Sequence, residues 1–123
     1  MASNLCQEPT AEVRMTARTE LLQGSLDLLV LKTLDLEPLH GWAIAKRIQL
    51  LSRDVLEVNQ GSLYPALYRL RDRGLIESEF GESEEGRRVK VYALTPKGRA
   101  ALVSGEQSWR LFADAVEAIL AAG

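Results

Sequence analysis

Val58-Asn59-Gln60-Gly61-Ser62-Leu63-Tyr64-Pro65-Ala66-Leu67-Tyr68-Arg69-Leu70-Arg71-Asp72-Arg73-Gly74-Leu75-Ile76 is the stretch on which the fold turns. Leu63, Leu67 and Leu70 follow one another at helical intervals and form an apolar stripe that can dock on other helices. Ser62 is the expected N-cap. That choice puts Pro65 in the first turn, where a missing N–H costs nothing, and makes Gly74 the stop. One position on, Tyr64, Tyr68 and Arg71 repeat the same interval, flanked by Arg69 and Arg73. Phenol hydroxyls and guanidinium groups on one flank suit a partner that carries phosphates or carboxylates. On an isolated helix the same flank reads at least as well as a solvated surface, so its meaning depends on the segment that comes after Gly74 in the chain.

That segment holds two β-prone runs, Leu75 to Phe80 and Arg87 to Leu94, around a polar loop bounded by Gly81 and Gly86, which is a hairpin signature. Along the second run Lys90, Tyr92 and Leu94 share one face and Val89, Val91 and Ala93 the other, and alternation alone leaves open which face is buried. Helices followed by a hairpin in this order predict a mainly α fold with a small β-hairpin wing, a winged helix-turn-helix. In that fold the helix around residues 62–73 enters the major groove of DNA.

Upstream, residues 1–18 show no sustained periodicity and are expected to be a flexible extension that carries Cys6 as a free thiol. From Thr19 the pattern firms, and Leu26, Leu29, Val30, Thr33 and Leu34 make a helical stripe after Gly24-Ser25, with Asp27 in the first turn and an end before Pro38. Leu39-His40-Gly41 reads as a connector in which His40 is a loop or capping residue. The next helix takes Trp42, Ala45, Ile48 and Leu51, supported by Ile44, as its apolar face and leaves Lys46, Arg47 and Arg53 outside. Lys46 or Arg47 is a candidate phosphate contact there, and an ordinary solvated surface reads at least as well. Val55 to Val58 is extended and is expected to add a strand to the wing sheet.

Downstream, Thr95-Pro96 opens the last helix as N-cap and first-turn proline. Leu102, Trp109, Phe112, Val116 and Ile119, with Gly105 filling one slot, repeat as a heptad seam. A helix of this length, on the order of 39 Å at about 1.5 Å per residue, is too long for so small a domain to bury. It is therefore read as a dimerisation helix, with those five apolar residues in the interface. The domain organisation expected is an extension over 1–18, the winged helix-turn-helix over 19–95 and the dimerisation helix over 96–123. A sharper reading of Trp109 is that it stacks on a small flat aromatic effector between protomers.

Composition sets the outer limits. A chain of 123 residues has room for one core and leaves none for a second catalytic domain. Its formal charge of -2 argues mildly against nucleic acid, but the distribution matters more. Residues 60–99 hold 8 basic and 6 acidic side chains, against 6 and 8 in residues 1–59 and 1 and 3 in residues 100–123. The only positive segment is thus the helix plus hairpin. One cysteine and one histidine exclude an intrachain disulfide and a Cys/His metal centre, and no cofactor is implied. Without a long apolar run or a leader pattern the protein is expected in the cytoplasm and off the membrane.

With these residues in view, the chain resembles the PadR family of bacterial transcriptional regulators. The matching runs are Leu22 to Leu31, His40-Gly41-Trp42-Ala43-Ile44-Ala45, Gly61-Ser62-Leu63-Tyr64-Pro65-Ala66-Leu67-Tyr68-Arg69-Leu70, Gly74-Leu75-Ile76 and Val91-Tyr92-Ala93-Leu94-Thr95-Pro96-Lys97-Gly98. The resemblance spans about residues 20 to 120. It implies a winged-helix homodimer, usually a repressor, joined through the C-terminal helix, with the helix around Tyr64 in the major groove. A single C-terminal helix is similar to the shorter subgroup of the family. Trp42 stands where the family more often has tyrosine, and Glu82, Glu84 and Glu85 make the wing tip acidic. Wing contacts are therefore expected from Arg87, Arg88 and Lys90.

The function expected is reversible binding of double-stranded DNA by a homodimer at a palindromic operator. Ser62, Arg69, Arg71, Arg88 and Lys90 supply phosphate contacts, and Tyr64, Tyr68 and either Gln60 or Asn59 approach base edges or the sugar-phosphate flank. The competing reading is a winged-helix module that binds only protein. An enzyme is not expected. Gly81 to Arg88 imitates P-loop glycine spacing but lacks the lysine and the magnesium-binding hydroxyl, and it runs into a strand. The one histidine has no evident catalytic partner.

Overall fold

A computed structural model describes residues 15–16 and 20–123, with side chains from Gly24 onward. The elements run β1 (Met15–Thr16), α1 (Glu20–Leu36), β2 (Leu39–His40), α2 (Gly41–Leu51), β3 (Leu56–Glu57), α3 (Gln60–Asp72), β4 (Ile76–Glu82), β5 (Arg88–Leu94) and α4 (Pro96–Leu120). Most of the extension expected over 1–18, Cys6 included, lies outside the described residues; Met15–Thr16 pairs in parallel with Leu56–Glu57.

The core gathers around α1. Leu26, Val30, Leu31 and Leu34 of α1 meet Ile44 and Ile48 of α2, and Leu63, Ala66, Leu67 and Leu70 of α3. Leu75, Ile76 and Tyr92 close it from the wing and Leu102 from α4. The leucine stripe expected on α3 is thus the buried face, widened by Ala66. Thr33 is buried in α1 with its hydroxyl donating to the Leu29 carbonyl at 2.7 Å, so the polar group is satisfied inside its own helix.

Several local expectations are corrected. Helix α1 begins five residues before Ser25, at Glu20, so Asp27 sits in its middle rather than in the first turn. Asn59, not Ser62, caps α3: its side-chain oxygen accepts the Ser62 N–H at 2.9 Å. Val58 before the cap and Leu63 after it are both in the core, the arrangement of a hydrophobic staple, and this fixes where the helix starts. Pro65 therefore lies beyond the first turn, and it has no N–H to offer the Gly61 carbonyl four residues back. At the other end Gly74 takes a φ of 77°, and the Leu75 N–H reaches the Leu70 carbonyl at 2.9 Å, which makes a Schellman stop.

On α2 the buried residues are Gly41, Ile44 and Ile48, while Trp42 and Leu51 face outward. The apolar face lies about one residue away from the one expected, because the small Gly41 is buried where the large Trp42 was the natural candidate. The third strand of the wing sheet is Leu39–His40, paired with Tyr92 and Val91, and not the Val55 to Val58 segment. His40 does cap α2, with Nδ1 accepting the Ala43 N–H at 3.4 Å.

Candidate nucleic-acid interface

Helix α3 presents the tyrosine and arginine flank to one side. Tyr68 is exposed, and the Arg71 guanidinium carbon lies 5.8 Å from its ring centre, within cation–π range. Tyr64 is half-buried because its ring crosses the start of α2: a β-carbon at Gly41 would come within 2.5 Å of its hydroxyl. Gly41 is therefore a packing requirement of Tyr64. Gln60 is exposed and Ser62 half-buried in the first turn of the helix.

Arg69 behaves differently from its neighbours. Its guanidinium turns inward and donates to the Asp27 carboxylate on α1 at 2.8 Å, tying α3 to the central helix. Lys46, on α2, lies 5.3 Å from the Trp42 ring centre, and Trp42 in turn stacks near His40 with an interplanar angle of 16°. Arg47 is paired with Glu37.

The hairpin settles the question that alternation left open. Tyr92 is buried, so its face points to the core, and the antiparallel register puts Ser78 opposite Tyr92, Phe80 opposite Lys90 and Glu82 opposite Arg88 on that face. The inner face thus begins with Ile76 and Tyr92 at its root and ends in Phe80 and Lys90, then Glu82 opposite Arg88. On the outer face Glu77 and Glu79 are exposed. Burial holds the Tyr92 hydroxyl above the ordinary phenol range, the nearby Tyr64 and Tyr68 hydroxyls add to this, and Arg71 opposes it. Tyr64, Tyr68 and Arg71 of α3 are thus neighbours of Tyr92, at the root of the inner wing face. A groove of about 570 Å³ runs from the start of α2 and Tyr64 along β5 to the wing tip, where Arg87 and Lys90 line it together with Glu85 and Val89.

At the tip, Gly86 takes a φ of 83° and its N–H reaches the Ser83 carbonyl at 2.9 Å, while the Arg87 N–H donates to the Ser83 hydroxyl at 3.1 Å. The loop is a turn held by its own backbone, with no helix start to receive a phosphate. Among the described residues no group of three or more His, Cys, Asp or Glu could hold a metal, and no helix is long and apolar enough to cross a membrane.

Helix α4 leaves the domain from a tight junction. Thr95 caps it by accepting the Gly98 N–H at 3.0 Å, and the same hydroxyl donates to the Gly74 carbonyl at 2.7 Å. Leu102 is buried in its own domain, and Gly105 sits against Leu28 of α1. Beyond that crossing Trp109, Phe112 and Ile119 are exposed, and the Trp109 and Phe112 ring centres are 6.1 Å apart. Of the five seam residues, Leu102 thus serves the intradomain core, and the exposed apolar seam begins at Trp109.

Of the residues singled out from the sequence, Tyr64, Arg87 and Lys90 line one groove, Tyr68 pairs with Arg71, and Arg88 lies on Phe80 further out along the wing. Sequence reasoning misses Tyr92 and Phe80, whose places depend on the hairpin register alone.

Comparison with known proteins adds to this geometry. A family model described as the transcriptional regulator PadR-like family matches residues 30–104. A transcriptional regulator of Mycobacterium tuberculosis is 45% identical over 60 residues, which cover 49% of this chain and 55% of that protein. Among solved structures, a PadR-like transcriptional regulator from Bacillus cereus superposes with a TM-score of 0.72 at 28% identity, covering 85% of this chain and 100% of its own. A PadR family transcriptional regulator from Eggerthella lenta gives 0.70 at 32% identity, covering 85% of this chain and 88% of its own.

Proposed function

We propose, from the premise that this chain belongs to the PadR-like family of transcriptional regulators, that it is a homodimeric repressor which places α3 in the major groove of a palindromic operator. Family membership already sets the chain among regulators rather than enzymes. The observation that supports the finer reading is that Tyr64 of α3 and the wing residues Arg87 and Lys90 line one groove, with the Tyr68 and Arg71 pair exposed on the same helix.

In this reading Arg71, Arg87, Arg88 and Lys90 neutralise backbone phosphates, and Ser62 and Lys46 add contacts at the edge of the site. Tyr68, with Tyr64 behind it and Gln60 at the helix start, approaches the base edges. Arg69 serves by fixing the angle of α3 on α1 through Asp27. The acidic outer wing face is turned away from the duplex, because carboxylates beside phosphates are repelled. The net charge of -2 then reflects residues 1–59 and 100–123, where 11 acidic side chains outnumber 7 basic ones.

The dimer rests on the apolar half of α4. Trp109, Phe112 and Ile119 are exposed on one seam with Val116 half-buried among them, and a second copy supplies the cover. Two recognition helices then address half-sites about 34 to 36 Å apart. The Trp109 and Phe112 rings would line the space between protomers, where a flat aromatic effector can stack. The site of action is the cytoplasm, where the chromosome of a bacterial host lies.

Selection of bound duplexes from a random pool, with retesting at two salt concentrations, tests the reading. A two-fold symmetric site whose affinity falls steeply with salt is expected, since each neutralised phosphate contributes about 0.9 to the logarithmic slope. No enrichment, or a flat salt response, would overturn it and favour a protein-binding role for the same face.

A further inference from the structure

We infer that Phe80 is a positioning residue for DNA binding: its ring is the platform that holds the Arg88 guanidinium toward the duplex. The inference rests on the proposed DNA-binding function and names a device within it. Phe80 is 60% exposed at the outer end of the wing's inner face. The Arg88 guanidinium carbon lies 4.0 Å from its ring centre and the Lys90 ammonium 5.9 Å.

The placement comes from the hairpin. Ile76 and Tyr92, at the root of this face, are covered by the core. Each two-residue step along a strand advances about 7 Å, so Phe80 lies roughly 14 Å beyond Ile76, where the core no longer reaches. A large ring left there loses most of the burial that would explain it as packing. What it touches is charge. Arg88 has Glu82 as its register partner, yet its guanidinium reaches diagonally across the ladder onto Phe80. Lys90, directly opposite Phe80, approaches the same ring.

An arginine on a hairpin tip has many rotamers, and fixing it on binding costs conformational entropy. A guanidinium stacked on a ring is held before the duplex arrives, and the flat face of the ring leaves its N–H edge free to donate to a phosphate oxygen. Phe80 itself needs no contact with DNA in this arrangement. The outer face cannot substitute, since Glu77 and Glu79 occupy it.

The test is a double-mutant cycle on the full chain, using the duplex enriched from the random pool. Phe80→Leu keeps an apolar, strand-compatible side chain without the π face and should weaken binding about fivefold. Arg88→Gln should weaken it and lower the logarithmic salt slope by about 0.9 for each protomer bound. In the Arg88→Gln background the further loss from Phe80→Leu should shrink to less than about twofold, leaving only the weaker Lys90 contact. Phe80→Trp, a better cation–π partner that also keeps the wing folded, should bind as tightly as the parent or tighter. Equal affinity of Phe80→Leu and the parent would overturn the inference, as would equal losses in both backgrounds or a Phe80→Trp as weak as Phe80→Leu. A parent chain that enriches no duplex would instead overturn the DNA-binding reading on which the inference stands.

Discussion

The Arg69 guanidinium donates to the Asp27 carboxylate across 2.8 Å, joining the recognition helix to the helix at the centre of the core. The pair is only partly screened, with the Asp27 side chain 19% exposed and Arg69 37%. Arg69→Ala should therefore have two outcomes. Stability should fall by about 1 kcal/mol, between the values usual for exposed and buried pairs, with an unchanged urea m-value. The salt slope of DNA binding should stay as it was. Arg71→Ala should do the opposite, leaving stability within about 0.5 kcal/mol and reducing the slope by roughly 0.9 per protomer. If Arg69→Ala also lowers the slope, its side chain leaves Asp27 to meet phosphate, and the structural role assigned to it is wrong.

Gly98 sits where α4 leaves the wing, and a β-carbon there would stand 2.0 Å from the Leu75 carbonyl oxygen and 2.8 Å from Leu94. The first obstacle is backbone, which cannot swing aside as a side chain could. Gly98→Ala should therefore cost about 3 kcal/mol, at the upper end for overpacking, although alanine is the better helix former. Thermal unfolding of the two chains measures the difference. A melting temperature equal to the parent's would mean that the junction opens freely, and that the angle between α4 and the wing is not fixed by this contact.

Much of the fold is legible because its signals are local. The leucine stripe of α3, the Gly74 stop and the Thr95-Pro96 start each rest on the chemistry of two to four neighbouring residues. The misread points depend on partners distant in sequence. Asn59 outcompetes Ser62 as cap because Val58 and Leu63 are both drawn into the core. Leu39–His40 becomes the third wing strand because Tyr92 and Val91 offer it an edge. Arg53 and Asp54 take φ values of 56° and 67° without a glycine, a turn held in part by the Asp54 N–H bond to the Gln49 carbonyl. At the candidate interface the residue types are readable. The inward turn of Arg69 and the platform under Arg88 are not, since one needs the α1 to α3 packing and the other the hairpin register.

Tyr92 gives the domain an alkaline limit. Burial above all, then the Tyr64 and Tyr68 hydroxyls, raises its folded pKa above that of an unfolded phenol, about 10. The native state then binds the proton more tightly than the unfolded chain. Its contribution to stability is complete below about pH 10 and declines as pH climbs from there through the folded value. Tyr92→Phe removes the titrating group and keeps the ring. Between about pH 9 and pH 11 the parent should lose stability faster than Tyr92→Phe, measured by urea unfolding at each pH. Parallel curves would show that Tyr92 ionises equally well in both states.

The seam of α4 makes the last prediction. Trp109 and Phe112 are 46% and 53% exposed in the single chain, with Ile119 further along at 73%. Their own domain gains little from them, so Trp109→Ala with Phe112→Ala should leave the unfolding free energy of the isolated domain within about 1 kcal/mol. Association is where they should count, as aromatic anchors at the centre of an interface. The double variant should sediment as a monomer at concentrations where the parent is a dimer, and the parent's melting temperature should rise with concentration while the variant's does not. Affinity for a two-half-site duplex should fall by a factor of about 100 or more through lost avidity, and affinity for a single half-site should hardly change. A double variant that remains a dimer would move the interface away from this seam, and with it the spacing between the two recognition helices.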